Sequence, residues 1–133
     1  MSDTVRNVGF EADLRLVQML APQAIQDATP VLSAAVDRKS YPRMRCLLIA
    51  NVKEVTPTAH TIAFTVTESA TSGGSYTAAT TSGTLDALSA DGNQYASIKF
   101  NKAKPFVKVT ATGSHADVDV IVSAHLLFIG DSL

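Results

Sequence analysis

Apolar and polar positions alternate along most of the chain from Tyr41 onward. Across residues 43–52, Met44, Cys46, Leu48, Ala50 and Val52 fall on one face, the period of two that marks a β-strand. Leu47 and Ile49 occupy the other face, which predicts a strand covered on both sides. Thr56-Pro57-Thr58 reads as a turn. Residues 61–69 then alternate again, with Ile62, Phe64 and Val66 inward and Thr61, Ala63, Thr65 and Thr67 outward. Ser69 to Ser75 is a loop by composition, with Gly73-Gly74-Ser75 at a mobile hairpin tip, and a Thr/Ala/Ser stretch follows Tyr76. Asp91-Gly92-Asn93 marks a tight turn. Two strands are predicted over 95–100 and 106–112, separated by Asn101-Lys102-Ala103-Lys104-Pro105. A last strand over 117–129 carries Val118, Val120, Val122, Ala124, Leu126 and Phe128 on one face.

The first third is less regular. Phe10, Leu14, Val17 and Leu20 approach helical spacing, while Leu14 with Leu16, and Val17 with Met19, fit a strand. Pro22 is expected to end either element. Extended structure is favoured because the rest of the chain is β, and residues 1–35 are expected to form an N-terminal arm and first strand. Residues 36–133 would be the body of a single domain. Short alternating strands with turn signals roughly every ten residues define an all-β chain, an antiparallel β-sandwich of jelly-roll-like type.

Composition supports this. Of 133 residues, 46% are hydrophobic and 17% charged, which indicates a globular core rather than disorder. Abundant Thr and Ser favour strands and turns. A formal net charge of −1 gives no reason to expect nucleic acid as a partner. There is no apolar run of about 18 residues to span a membrane as a helix, and the start Met1-Ser2-Asp3-Thr4-Val5-Arg6 lacks the features of a signal peptide. The one cysteine, Cys46, cannot form an internal disulfide and sits in an apolar run that should bury it. Stability is therefore expected from packing or assembly, in a reducing compartment such as a cytoplasm.

The order of segments resembles a group of small head decoration, or cement, proteins of tailed bacteriophages. The resemblance rests on Leu20-Ala21-Pro22-Gln23-Ala24-Ile25, Ala35-Val36-Asp37 with Tyr41 beyond, and the apolar strand from Cys46 to Val52. It continues through Phe64-Thr65-Val66-Thr67-Glu68-Ser69, the Gly-Ser loop with Tyr76, the strand from Tyr95 to Phe100, and Lys104-Pro105-Phe106-Val107-Lys108-Val109. It implies a jelly-roll-like virion protein bound outside an icosahedral head, with the major capsid protein and further copies of itself as partners. Neither catalysis nor a cofactor is implied, and assembly would take place in the host bacterial cytoplasm. A carbohydrate-binding module on the virion or tail would share the fold class. Low aromatic content and the absence of Trp count against it, because sugar platforms use exposed rings.

Candidate chemistry is sparse. His115, Asp117 and Asp119 alternate and would share a strand face with His125, a donor set suited to a metal. Side chains two apart on a strand stand about 7 Å apart, however, so a solvated face is the simpler expectation. No G-x-S-x-G elbow is present, and Gly73-Gly74-Ser75 lacks the lysine and helix of a phosphate loop. The basic cluster Arg38, Lys39, Arg43 and Arg45, with Tyr41 inside it, combines residue types enriched at interfaces. It reads either as a docking surface for an acidic capsid shell or as a solvated loop leading into a strand. Lys99, Lys102, Lys104 and Lys108 form a second basic region, expected to protect a sheet edge.

Overall fold

In the computed structural model, residues 14–25, 29–54, 61–88, 92–114 and 120–130 are described. Nine strands run in chain order: β1 (Leu14–Ile25), β2 (Val31–Leu32), β3 (Val36–Asp37), β4 (Met44–Glu54), β5 (Ile62–Ser69), β6 (Thr77–Ala78), β7 (Gly92–Ile98), β8 (Phe106–Gly113) and β9 (Val120–Gly130). A four-stranded sheet has the order β1-β9-β4-β7, and a five-stranded sheet has the order β2-β8-β5-β6 with β3 also paired to β8. Every pairing is antiparallel. The fold is an antiparallel β-sandwich of jelly-roll-like type.

Alternation places the core between the sheets. The four-stranded sheet contributes Cys46, Leu48, Ala50 and Val52 from β4, with Val122, Ala124, Leu126 and Phe128 from β9. Ile62, Phe64, Val66, Val107, Val109 and Ala111 face them from the other sheet. Phe64 and Phe128 are the largest fully buried side chains, and Val and Ala fill much of the remaining space.

Three local readings are corrected. Pro22 does not end its element, because β1 continues through it to Ile25. The strand lies at a sheet edge, where a missing N–H removes no ladder bond, and its pairing with β9 shifts register between Leu20 and Gln23. Gly92 and Asn93 form no turn but open β7, paired with Val52 and Asn51; a long partner strand outweighs their turn preference. The Gly-Ser tip is tied down, since Gly74 N–H donates to Thr71 O at 3.2 Å and the Tyr76 hydroxyl donates to Ser72 O at 2.7 Å. A Cβ at Gly74 would fall 2.4 Å from Thr71 Oγ1, so any other residue there would have to displace that hydroxyl. Of residues 1–35, expected as an arm and first strand, β1 and β2 lie in the sandwich, while residues 1–13 and 26–28, like the turn at Thr56-Pro57-Thr58, lie outside the described residues.

The segment after β6 joins the two sheets. Ala78 pairs with Thr67 on β5. A few residues on, Ser82 N–H donates to Ser97 O and Lys99 N–H donates to Thr80 O, both at 2.9 Å. Residues 80–82 thus pair with the end of β7, at Ser97 to Lys99, and cover that part of the four-stranded sheet's edge.

Candidate functional site

The basic cluster begins at a single 3-10 turn, Arg38–Ser40. Asp37 caps it, its Oδ1 accepting from Lys39 N–H at 2.9 Å, as short polar side chains do at helix starts. The Arg38 backbone N–H donates to Pro105 O at 2.9 Å, which fixes the turn to the start of β8. The Arg38 side chain then crosses to the other sheet, where Nη1 donates to Ile98 O at 3.1 Å and the guanidinium lies 5.1 Å from the Phe100 ring centroid. Arg38 is only 5% exposed, so it is withdrawn from the surface patch that the sequence suggested. Desolvation weakens its hold on its proton, while the nearby Cys46 and Glu68 side chains oppose that loss.

Tyr41 is half-buried rather than displayed. Its ring stacks on Phe128 with centroids 4.0 Å apart and planes 6° from parallel, so its apolar surface closes one end of the core. Tyr41, Pro42, Arg43 and Met44 form the turn into β4, with Met44 N–H donating to Tyr41 O at 3.3 Å. Arg43 takes φ +62° in this turn, a conformation glycine adopts without strain. The backbone therefore gives no reason for an arginine there. Lys39, Arg43 and Arg45 are exposed.

Beside this turn lies a crevice of about 430 Å³. Arg38, Arg45 and Lys99 line it together with Phe100, Thr80, Thr81, Ser82, Ser97, Cys46 and Ile98. A second crevice of about 330 Å³ shares Thr80, Lys99 and Phe100 and adds Glu68, Asn101 and Lys102. Phe100 stands between the two and is 47% exposed. The buried Glu68 is held by Asn101, whose Nδ2 donates to Glu68 Oε2 at 3.1 Å. Burial pushes the Cys46 thiol up to about 11, so at neutral pH it is protonated and a poor nucleophile. What remains is a mostly apolar recess with an exposed ring, bordered by the exposed Arg45 and Lys99 and by hydroxyls, suited to an acidic group carried beside an apolar one.

The sequence reading placed Arg38 and Arg45 in a docking cluster, assigned Lys99 and Lys102 to a sheet edge, and missed Phe100 and the hydroxyls of residues 80–82. An aromatic ring among lysines where a strand ends was the available signal. The second basic region does not act as edge protection throughout. Lys108 lies on β8, inside its sheet, with its ammonium 4.5 Å from the Tyr76 ring centroid, and Lys104 Nζ donates to Thr77 Oγ1 at 2.9 Å. His115, Asp117 and Asp119 lie outside the described residues. His125 pairs with Gln18 on one side and Ile49 on the other.

No family model and no curated protein sequence matches the chain. Solved structures do match its fold. A chain of infectious bursal disease virus, Gx strain, is similar at TM-score 0.55 and 8% identity over 88% of this chain, which spans only 32% of the viral one. The C-terminal family 22 carbohydrate-binding module of Clostridium thermocellum Xyn10B is similar at TM-score 0.51 and 6% identity, covering 96% of this chain and 90% of that one. A xylan-binding domain of the same module family matches at TM-score 0.51 and 6% identity, with 96% and 91% covered. At such identities the likeness shows the sandwich architecture, one that serves both virus particles and sugar-binding modules.

Proposed function

We propose that the protein is a structural subunit that decorates the exterior of a tailed-phage head, docking on the major capsid protein without catalysis. The observation that supports this reading is the convergence of the exposed Arg45 and Lys99 beside the exposed Phe100 ring. Guanidinium groups form bidentate pairs with carboxylates and keep their charge, while the ring offers an apolar anchor. An acidic capsid segment with one apolar side chain fits that chemistry. Lys39 and Arg43, exposed beside it, would extend the contact at its rim. Attachment acts by mass action, because a subunit that binds only the assembled shell stabilises that shell.

Co-sedimentation with undecorated heads of the encoding phage tests this. The wild type should bind at stoichiometric copy number. Arg43→Glu combined with Lys99→Glu should stay folded but lose at least about tenfold in affinity, and wild-type binding should weaken with salt. Normal occupancy by the double variant would remove this corner from the interface. Failure of the wild type to sediment would remove the decoration role.

One observation favours a second reading, a carbohydrate-binding module on the virion or tail. The Tyr95 ring is 62% exposed on the outer side of the four-stranded sheet, one row from the Asn51–Asn93 pair, and could stack on a sugar. Retardation in a xylan-containing gel that disappears in Tyr95→Ala would establish it.

A further inference from the structure

The two outer faces of the sandwich differ in chemistry. On the five-stranded sheet the outward rows are hydroxyl-rich: Thr65 pairs with Thr110, and Thr67 with Lys108. On the four-stranded sheet the buried positions of β4 and β9 are the even-numbered ones, so the odd-numbered side chains point away from the core. One outward row there crosses all four strands, with Tyr95 on β7, Ile49 on β4, His125 on β9 and Gln18 on β1. The row on one side of it holds Asn93, Asn51 and Ser123, and Asn51 Nδ2 donates to Ser123 Oγ at 3.4 Å. The row on the other side holds Ser97, Leu47, Leu127 and Leu16. Tyr95 is 62% exposed. It stands between Asn93 and Ser97, both exposed on its own strand and each about 7 Å away.

We propose that these rows are a binding platform for a neutral, unbranched glycan lying across the strands. The proposal rests on the carbohydrate-binding reading and gives it a ligand class and a set of contacts. The first argument is chemical complementarity. A sugar ring has an apolar C–H face and a rim of hydroxyls. Tyr95 offers a ring for the face to stack on, and the amides of Asn93 and Asn51 and the hydroxyls of Ser97 and Ser123 offer donors and acceptors for the rim. A protein surface packed here would have to find a partner for each of those groups and for His125 and Gln18, or leave them buried at a cost, whereas every sugar unit brings several hydroxyls. The second argument is charge. The three rows carry no Asp, Glu, Lys or Arg. Arg45 and Lys53 stand beyond them, paired with Ile129 and Ile121. A carboxylate or sulfate on the sugar would find no cation among the rows, so an uncharged chain fits them. The third is shape. Three steps of about 4.8 Å between strands give a row of about 14 Å, without a wall to cap it, which suits a short extended run of sugars with Tyr95 under one end.

Isothermal titration calorimetry of the full chain tests this, with soluble cello- and xylo-oligosaccharides as neutral probes and oligogalacturonate as the acidic one. At least one neutral oligomer should bind, and more tightly than the acidic one. Tyr95→Ala should abolish measurable binding. Asn51→Ala and, separately, Asn93→Ala should each weaken it about five- to tenfold, as the loss of one hydrogen bond does, while keeping a β-type circular dichroism spectrum. Asn93 is exposed enough that its variant should fold even if the Asn51 variant does not. Thr65→Ala, on the opposite face, should leave the affinity unchanged. Binding that needs Tyr95 but ignores both asparagines, or that favours the acidic oligomer, would overturn this site and leave the carbohydrate-binding reading standing. Binding indifferent to Tyr95, or no binding of any of the three oligomers, would overturn both. Neither result bears on binding to heads, which the sedimentation assay with Arg43 and Lys99 variants reads separately.

Discussion

Ser33 replaces a missing stretch of strand between β2 and β3. Its backbone N–H donates to Val109 O, and its Oγ accepts from Val109 N–H, both at 2.9 Å. Val109 is fully buried, so its amide has no access to solvent. Ser33→Ala should therefore destabilise by about 1–3 kcal/mol, the cost of an orphaned buried donor, as measured by urea denaturation. Cys46 gives a test by pH. Its thiol rises from 9.0 in a solvated chain to about 11 when buried. The unfolded chain thus loses this proton first, and the thiol's contribution is complete below about pH 9 and lost as pH rises toward about 11. The loss should be on the order of 3 kcal/mol, and Cys46→Ala should flatten that part of the stability profile. A slope unchanged by the substitution would show that other groups cause it. Arg38 shows a limit of reading residues singly. Its charge predicted a surface role, but the carbonyl it caps belongs to Ile98, sixty positions away.

Strands were legible wherever one face is buried. A slip of one residue along β5 or β9 would turn the whole apolar set outward, and that constraint is written into the alternation around Phe64 and Leu126. It also gives the most direct test of the sandwich. Phe64, paired with Ala111 at the centre of its sheet, is fully buried. Phe64→Ala should cost about 3–5 kcal/mol, a large part of a typical domain's stability, read as a lowered thermal midpoint. Misreadings fell where pairing overrides local preference. Pro22 is tolerated because β1 is an edge, and Gly92 and Asn93 are extended because β4 reaches past them. Neither fact is local. The crevice was illegible for the same reason, since Arg38, Thr80 and Lys99 meet only after both sheets have closed. Arg43 and Arg45 were easier to find, because only Met44 separates them where the turn enters β4.

At the scale of the molecule, the two sheets share a core but meet solvent differently, one through threonines and the other through leucine, isoleucine and tyrosine. Composition averages these faces and could not reveal the difference. The covered side of β7 has a further consequence. An uncovered strand edge accepts another strand, then another, and growth of that kind has no natural stopping point. With residues 80–82 against the end of β7 on one side of the four-stranded sheet and the register-shifted, proline-bearing β1 on the other, addition of strands to that sheet is hindered at both margins. Ser82→Pro removes the N–H that donates to Ser97 O and should expose the β7 margin. Its expected signature is faster gain of light scattering and of amyloid-dye fluorescence on agitation than in the wild type, and equal rates would show that the margin is guarded by something else. In the proposed role, display of many copies on one surface would create a local concentration at which runaway strand pairing would be ruinous. Covered margins remove the one mode of association that has no natural end.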